Sequence, residues 1–156
     1  MKTNRRKSRE LALQTLYAFN MQNEGEESKA VKMDDLKNEL IFSRNVKQVV
    51  AEYASDLIDI ERKHQRKIGN ILSATSENWD VDRFSQVDKA ILLLAIGELL
   101  YFPDVPVKVV INEALEVARM FSTDESVSFI NGILDKVSSK WRKNDSVKKA
   151  GEVVKS

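Results

Sequence analysis

Cysteine is absent from the 156-residue sequence, and there are only two prolines and five glycines. Without cysteine the chain has no thiol nucleophile, no disulfide framework and no cysteine-ligated zinc, and a reducing cytoplasm is the default compartment. The scarcity of proline and glycine disfavours a turn-rich β-sandwich or barrel and favours helices. No apolar run reaches the roughly 18 residues of a membrane helix. We therefore expect one cytoplasmic domain, long enough to bury a core without disulfides.

Groups that carry catalysis are also scarce. The only histidine, His64, stands among basic residues, which is typical of a solvated helix face rather than of a metal ligand or a base. Glu113 and Glu116 lie one helical turn apart but have no histidine partner, so a carboxylate metal site is not indicated. The glycines lie too far apart to form a phosphate-binding loop. These absences predict a protein without enzymatic activity, metal ion or cofactor.

The charge is unevenly distributed, although the formal net charge is only +1. Residues 1–10 hold five basic residues against one acidic residue, a net +4, and residues 140–156 hold six against two, again +4. The intervening 11–139 hold 14 basic and 21 acidic residues, a net −7. Clustered cations suggest a polyanionic partner, and an acidic body suits a basic protein. Solvated tails explain the same charges equally well.

Apolar residues recur at helical spacing along most of the chain, and no segment reads as a strand. The pattern predicts a helix at about 4–22 capped by Thr3 or Asn4, a short helix at about 33–41, and a helix at about 45–60. A further helix passes through Ile68 and Leu72, with the break before it near residues 59–62. The fold class is therefore all-α, with six or seven helices.

The second half gives sharper signals. A helix capped by Asp82 or Ser85 carries the run AILLLAI at 90–96, which is apolar on all sides and predicts a helix surrounded by protein. Pro103 and Pro106 end this helix and begin the next. Ser122 and Glu125 match a capping box for a last helix, which extends to about Trp141. The polar, basic stretch 142–156 is predicted to be disordered.

Two features suggest recognition of nucleic acid. The cations Arg5, Arg6, Lys7 and Arg9 open the first helix, and a guanidinium face cannot continue a core stripe. We therefore expect the first two turns to overhang the core and leave the arginines accessible to phosphates; a solvated terminus is the alternative. Phe129 lies at the edge of the last helix's apolar stripe, where it is either peripheral core or a surface for stacking an unpaired base.

Three stretches resemble the NusB family of bacterial transcription antitermination factors: RRKSRELA at 5–12, VDKAIL at 87–92, and DVPVKVVINEA at 104–114 continuing to FINGILDK at 129–136. The resemblance covers about residues 3–141. It implies a single NusB-like domain over 1–141, made of two roughly perpendicular helical bundles at about 4–76 and 79–141. It also implies pairing with the small-subunit ribosomal protein NusE and binding of single-stranded boxA RNA. The assembly would join RNA polymerase with other Nus factors and suppress termination in ribosomal RNA operons.

The resemblance also implies site residues. Those that match the family's RNA-binding surface are Arg5, Arg6, Lys7, Arg9, Tyr17, Phe121, Glu125 and Phe129. Those that match its NusE-facing region are Asp88, Lys89 and Leu92. Three other functions stay open: a helical RNA-binding protein that acts without NusE, a helical adaptor whose basic ends aid solubility, and the detached RNA-binding domain of an RNA cytosine methyltransferase.

Overall fold

The computed structural model describes residues 3–24, 31–80 and 84–142. These residues form seven α-helices and no strand, which confirms the all-α prediction. The helices are α1 Asn4–Gln22, α2 Met33–Lys37, α3 Gln48–Lys63, α4 Gln65–Thr75, α5 Gln86–Tyr101, α6 Val107–Phe121 and α7 Asp124–Trp141. A π-helical turn, Asn38–Phe42, continues α2. The predicted disorder of the tail falls, from residue 143 onward, outside the described residues.

Hydroxyl side chains cap three of the helices. The Oγ1 of Thr3 accepts a hydrogen bond from the N–H of Arg6 at 3.1 Å, and the Oγ of Ser85 accepts one from the N–H of Asp88 at 3.0 Å. Both caps were among the predicted candidates. At α7 the cap is Thr123, whose Oγ1 accepts from the N–H of Ser126 at 3.1 Å. The predicted capping box headed by Ser122 is therefore wrong by one residue.

Helix α5 lies at the centre of the fold and packs against α1, α3, α4, α6 and α7. Leu92, Ile96 and Leu99 on this helix are completely buried. A helix that is apolar on all sides must be covered on all sides, and five neighbouring helices do so here. The prediction made from the run at 90–96 is confirmed.

Helix α1 packs mainly on α3 and also contacts α5 and α6. Its apolar residues Leu13 and Leu16 enter the core, whereas Arg5 and Lys7 in its first turn stay exposed. This packing places the start of α1 beside the end of α5 and the middle of α6. Among the described helices, none has the length and apolarity needed to cross a membrane.

Gly69 offers a simple test of the fold. It lies inside α4, and a Cβ built at this position meets no other heavy atom within 4 Å. We expect Gly69→Ala to stabilise the protein by about 0.5–1 kcal/mol, because alanine loses less backbone entropy in a helix. Urea unfolding followed by helical circular dichroism measures the change. The control is Gly132→Ala, whose Cβ would lie 3.3 Å from the ring of Trp79 and should gain less; equal gains would contradict this packing.

Candidate nucleic-acid interface

The start of α1 presents two exposed cations, Arg5 and Lys7. The Cζ atom of Arg5 lies 3.7 Å from the ring centroid of Tyr53, a buried residue of α3. The ring of Tyr53 in turn packs edge-on against Phe102, with centroids 5.5 Å apart. A cation over an aromatic ring is attracted by the ring's negative face, so Arg5 is held in place at the surface.

Arg6 is only partly accessible because it pairs with Glu113 of α6. Its Nε donates to Oε2 at 2.7 Å and its Nη2 donates to Oε1 at 3.0 Å, a two-pronged contact that ties α1 to α6. The hydrogen bond to Glu113 raises the pKa of Arg6 above its ordinary value. The expected free access to this arginine is therefore wrong in part.

Arg9 is buried, with 8% of its surface exposed, and forms a second two-pronged pair with Glu98 of α5. Its Nε donates to Oε1 at 3.0 Å and its Nη2 to Oε2 at 2.5 Å. The hydroxyl of Tyr53 donates to the same Oε2 at 2.6 Å. Burial works to lower the pKa of Arg9, but the hydrogen bond and charge of Glu98 raise it above its ordinary value. Burial and the bond to Glu98 also raise the pKa of Tyr53.

The buried pair corrects one prediction. An accessible Arg9 was expected, whereas only 8% of its surface is exposed; a contact of Arg9 with RNA stays a prediction. The physical reason is that a carboxylate on α5 lets a guanidinium continue the core-facing stripe of α1. A cavity of about 30 Å³, lined by Arg9, Glu98 and apolar side chains, lies beside the pair and has room for a water molecule.

The predicted aromatic surface is partly exposed. Tyr17 and Phe121 are 36% and 39% exposed, and Glu125 is exposed as well. Phe129 is half-buried, and its ring stacks on that of Phe84 with centroids 4.6 Å apart and an angle of 8° between the ring planes. One face of Phe129 is thus covered within the chain. Base stacking by Phe129 stays a prediction, now for its other face alone.

Two of the three residues expected to face NusE are buried in the protein. Asp88 is 3% exposed and accepts hydrogen bonds from the Oγ atoms of Ser122 at 2.5 Å and Ser126 at 2.7 Å. Leu92 is completely buried, and Lys89 is half-buried. Asp88 and Leu92 offer almost no surface to a partner in this structure, and their contact with NusE stays a prediction. Asp88 instead joins the start of α5 to the junction of α6 and α7.

Glu98, Tyr53 and Glu113 were not identified from the sequence as the residues that contact the arginines of α1. Glu98 gave a signal, because it is the only acidic residue within the apolar run of α5 that follows Lys89. Tyr53 and Glu113 gave none beyond helical spacing. Within residues 3–24, 31–80 and 84–142, no three histidine, aspartate or glutamate side chains form a group that could hold a metal ion.

The described residues thus form a small all-α protein with exposed cations at the start of α1 and exposed aromatic rings on α1 and α6, features that suit a nucleic-acid-binding protein. The model of the NusB family matches residues 6–139. The transcription antitermination protein NusB of Elusimicrobium minutum is 41% identical over 143 residues, which cover 90% of this chain and 96% of that protein. The chain belongs to the NusB family.

Solved structures agree with this assignment. A T. maritima NusB structure has a TM-score of 0.77 and 29% identity, and the match covers 90% of this chain and 94% of that one. A chain in a crystal structure of the antitermination factors NusB and NusE in complex with double-stranded RNA has a TM-score of 0.75. It is 22% identical, and the match covers 89% of this chain and 98% of that one, so it supports the fold alone.

Proposed function

We propose that this chain is an RNA-binding transcription antitermination factor that pairs with NusE and binds single-stranded boxA RNA. In this role it joins the RNA polymerase elongation complex with other Nus factors in the cytoplasm and suppresses termination in ribosomal RNA operons. Family membership supports the role, because the matched relative is named a transcription antitermination protein. That relative is matched over 96% of its length, which favours this role over a detached methyltransferase domain.

The start of α1 is the observation that carries the proposal. Arg6 and Arg9 are committed to Glu113 and Glu98, so they fix α1 on α6 and α5. Arg5 and Lys7 remain exposed on this anchored helix. Cations held in place lose less freedom on binding than cations on a mobile terminus, so this arrangement favours phosphate contacts. The protein acts by binding, with no chemical step assigned to its side chains.

Aromatic and acidic surfaces complete the proposed interface. Exposed Tyr17 and Phe121, with the open face of Phe129, would stack unpaired bases, and Glu125 lies exposed on the first turn of the same helix. The net −7 of residues 11–139 suits a basic ribosomal protein such as NusE. Of the three residues matched to the NusE-facing region, Lys89 alone keeps partial exposure for a direct contact.

Removing the two exposed cations should weaken RNA binding in a salt-dependent way. For Arg5→Gln/Lys7→Gln, the slope of log K against log salt for a boxA-type single strand should fall by about 1.4, since each phosphate contact contributes about 0.7. The free energy of unfolding should fall by no more than about 1 kcal/mol, because both side chains are exposed and only the contact of Arg5 with the Tyr53 ring is lost. Fluorescence anisotropy across a salt series measures the slope.

The matched control is Arg44→Gln/Lys47→Gln, which removes two exposed cations that precede α3. An unchanged slope in the Arg5/Lys7 variant, or an equal loss in the control, would exclude the start of α1 as the RNA site. Repeating the titration with NusE separates the alternatives. Tighter boxA binding with NusE supports the proposal, and equal affinity supports an RNA-binding protein that acts without NusE. A protein that binds no RNA under either condition would be an adaptor.

A further inference from the structure

A second group of cations lies at the junction of α3 and α4 and has no part in the interface described above. This basic corner consists of Arg62, Lys63, Arg66 and Lys67, of which the last three are exposed. From residue 62 to residue 76 the sequence contains no aspartate or glutamate. A solvated helix usually balances its cations with acids one turn away, and α4 has none to offer. Arg66 and Lys67 therefore have no acidic partner on their own helix, which favours a polyanionic ligand.

The basic corner borders an open groove of about 610 Å³ between α4 and the end of α7. Lys63, Arg66 and Lys67 line one part of this groove, and Trp141 and the apolar Ile71 line another. Cations beside an aromatic ring and an apolar floor suit a flexible strand that carries both phosphates and bases. An acidic protein surface would use the cations but not the ring.

Two sets of aromatic contacts, one on Tyr101 and one on the next residue, Phe102, lie between this corner and the start of α1. The rings of His64 and Tyr101 stack with centroids 3.9 Å apart, and the Nζ of Lys67 lies 5.9 Å from the Tyr101 centroid. Tyr101 is followed directly by Phe102, which packs edge-on against Tyr53 at 5.5 Å. Tyr53 carries Arg5 over its ring. Each of the two cationic groups therefore lies beside aromatic residues at the end of α5.

Exposed acidic groups are present on α3 and between α5 and α6, but none is present on α4. Glu52, Asp56 and Asp59 are exposed on α3, and Asp104 is exposed between α5 and α6. Glu61 precedes the basic corner but is buried, with its Oε2 atom 3.8 Å from the Nη1 of Arg62. None of these acids belongs to α4, which supplies Arg66 and Lys67.

We propose that the basic corner extends the RNA path, so that a strand held by Arg5 and Lys7 crosses the end of α5 and places further phosphates on Lys63, Arg66 and Lys67. The inference rests on the proposed function and adds to it a second contact region for single-stranded RNA outside the boxA element. RNA longer than the core element therefore binds more tightly than the element alone.

The test compares two RNA lengths on the full chain. One probe is a short boxA-type single strand, and the other is the same strand with a uridine tract added at both ends. Lys63→Gln/Arg66→Gln/Lys67→Gln should bind the short probe like the wild type. It should bind the extended probe at least about tenfold more weakly at 0.1 M salt, with a log–log salt slope reduced by about 2, from about 0.7 per lost contact. Arg44→Gln/Lys47→Gln/Lys108→Gln is the control, since its three exposed cations lie outside the path.

Two results would overturn the inference. If the triple variant binds the extended probe with the affinity and the salt slope of the wild type, RNA does not reach the basic corner. An acidic protein that binds there would give this result. Equal losses on both probes would mean that the cations act at long range rather than by contact. Either result leaves the proposed function standing as long as the wild type binds the short probe. A wild type that binds neither probe would remove both proposals, and urea unfolding checks that every variant is folded.

Discussion

Replacing Glu98 by alanine should destabilise the protein by about 3–5 kcal/mol, the usual effect of removing one partner of a buried ion pair. The substitution leaves the guanidinium of Arg9 buried without its acceptor and also removes the acceptor of the Tyr53 hydroxyl. Urea unfolding followed by helical circular dichroism measures the loss. The α1 surface should lose order with it, because the same pair fixes that helix on α5.

Glu113→Ala is the matched control for this prediction. Its pair with Arg6 has the same two-pronged geometry, but the two side chains are 17% and 26% exposed, so water replaces the lost contact. We expect a loss of about 1 kcal/mol or less. Arg9→Met/Tyr53→Phe/Glu98→Leu should recover much of the stability lost in Glu98→Ala, since apolar side chains can replace a buried ion pair. Equal losses for Glu98→Ala and Glu113→Ala would contradict the role assigned to burial.

Asp88→Lys is expected to unfold much of the population, with a loss of more than about 3 kcal/mol. The ammonium group would be buried where the carboxylate now accepts from Ser122 and Ser126. It would also lie in the first turn of α5, where the helix dipole favours an anion. The resemblance matched Asp88 to the NusE-facing region, where a charge reversal would be expected to weaken a protein complex and leave the fold intact. Because Asp88 is buried, loss of folding is the expected result instead.

Asp88→Asn gives the graded comparison. The amide oxygen still accepts from one serine, so we expect a loss of about 1–2 kcal/mol. Lys89→Ala, one residue further along α5, is the neighbouring control and should change the stability by about 0.5 kcal/mol or less. Thermal and urea unfolding of all three variants measure these changes in stability. A folded Asp88→Lys with wild-type stability would mean that this side chain reaches solvent.

The helices were largely predictable because their signals are local. The apolar run at 90–96 predicted a central helix, and Thr3 and Ser85 were correct candidates for caps. The errors arose where the local sequence allowed more than one structure and contacts between helices determined which one formed. Ser122 and Thr123 both could cap α7, and the acceptor on Asp88 drew the Ser122 hydroxyl away from the helix end. The break between α3 and α4 falls at His64, a little beyond the predicted 59–62.

The site was less predictable because its partners are distant in sequence. Arg6 pairs with a glutamate 107 residues further along the chain, and Arg9 with one 89 residues further along. A charge pattern identifies cations but does not separate those that meet a carboxylate from those that meet solvent. Arg5 and Lys7 behave as the pattern suggested, whereas Arg9 is internal. Helical spacing also could not predict that the ring of Phe84 stacks on one face of Phe129.

The two ion pairs of α1 impose an order on biosynthesis. The ribosome makes α1 first, but the carboxylates of Glu98 and Glu113 emerge only after most of the chain has been translated. Until then the nascent helix carries Arg6 and Arg9 as surplus cations with no internal acceptors on α5 or α6. The anchored form of α1 is therefore a late product of synthesis, and a ribosome-bound fragment ending before α5 would carry four loose cations instead of two fixed ones.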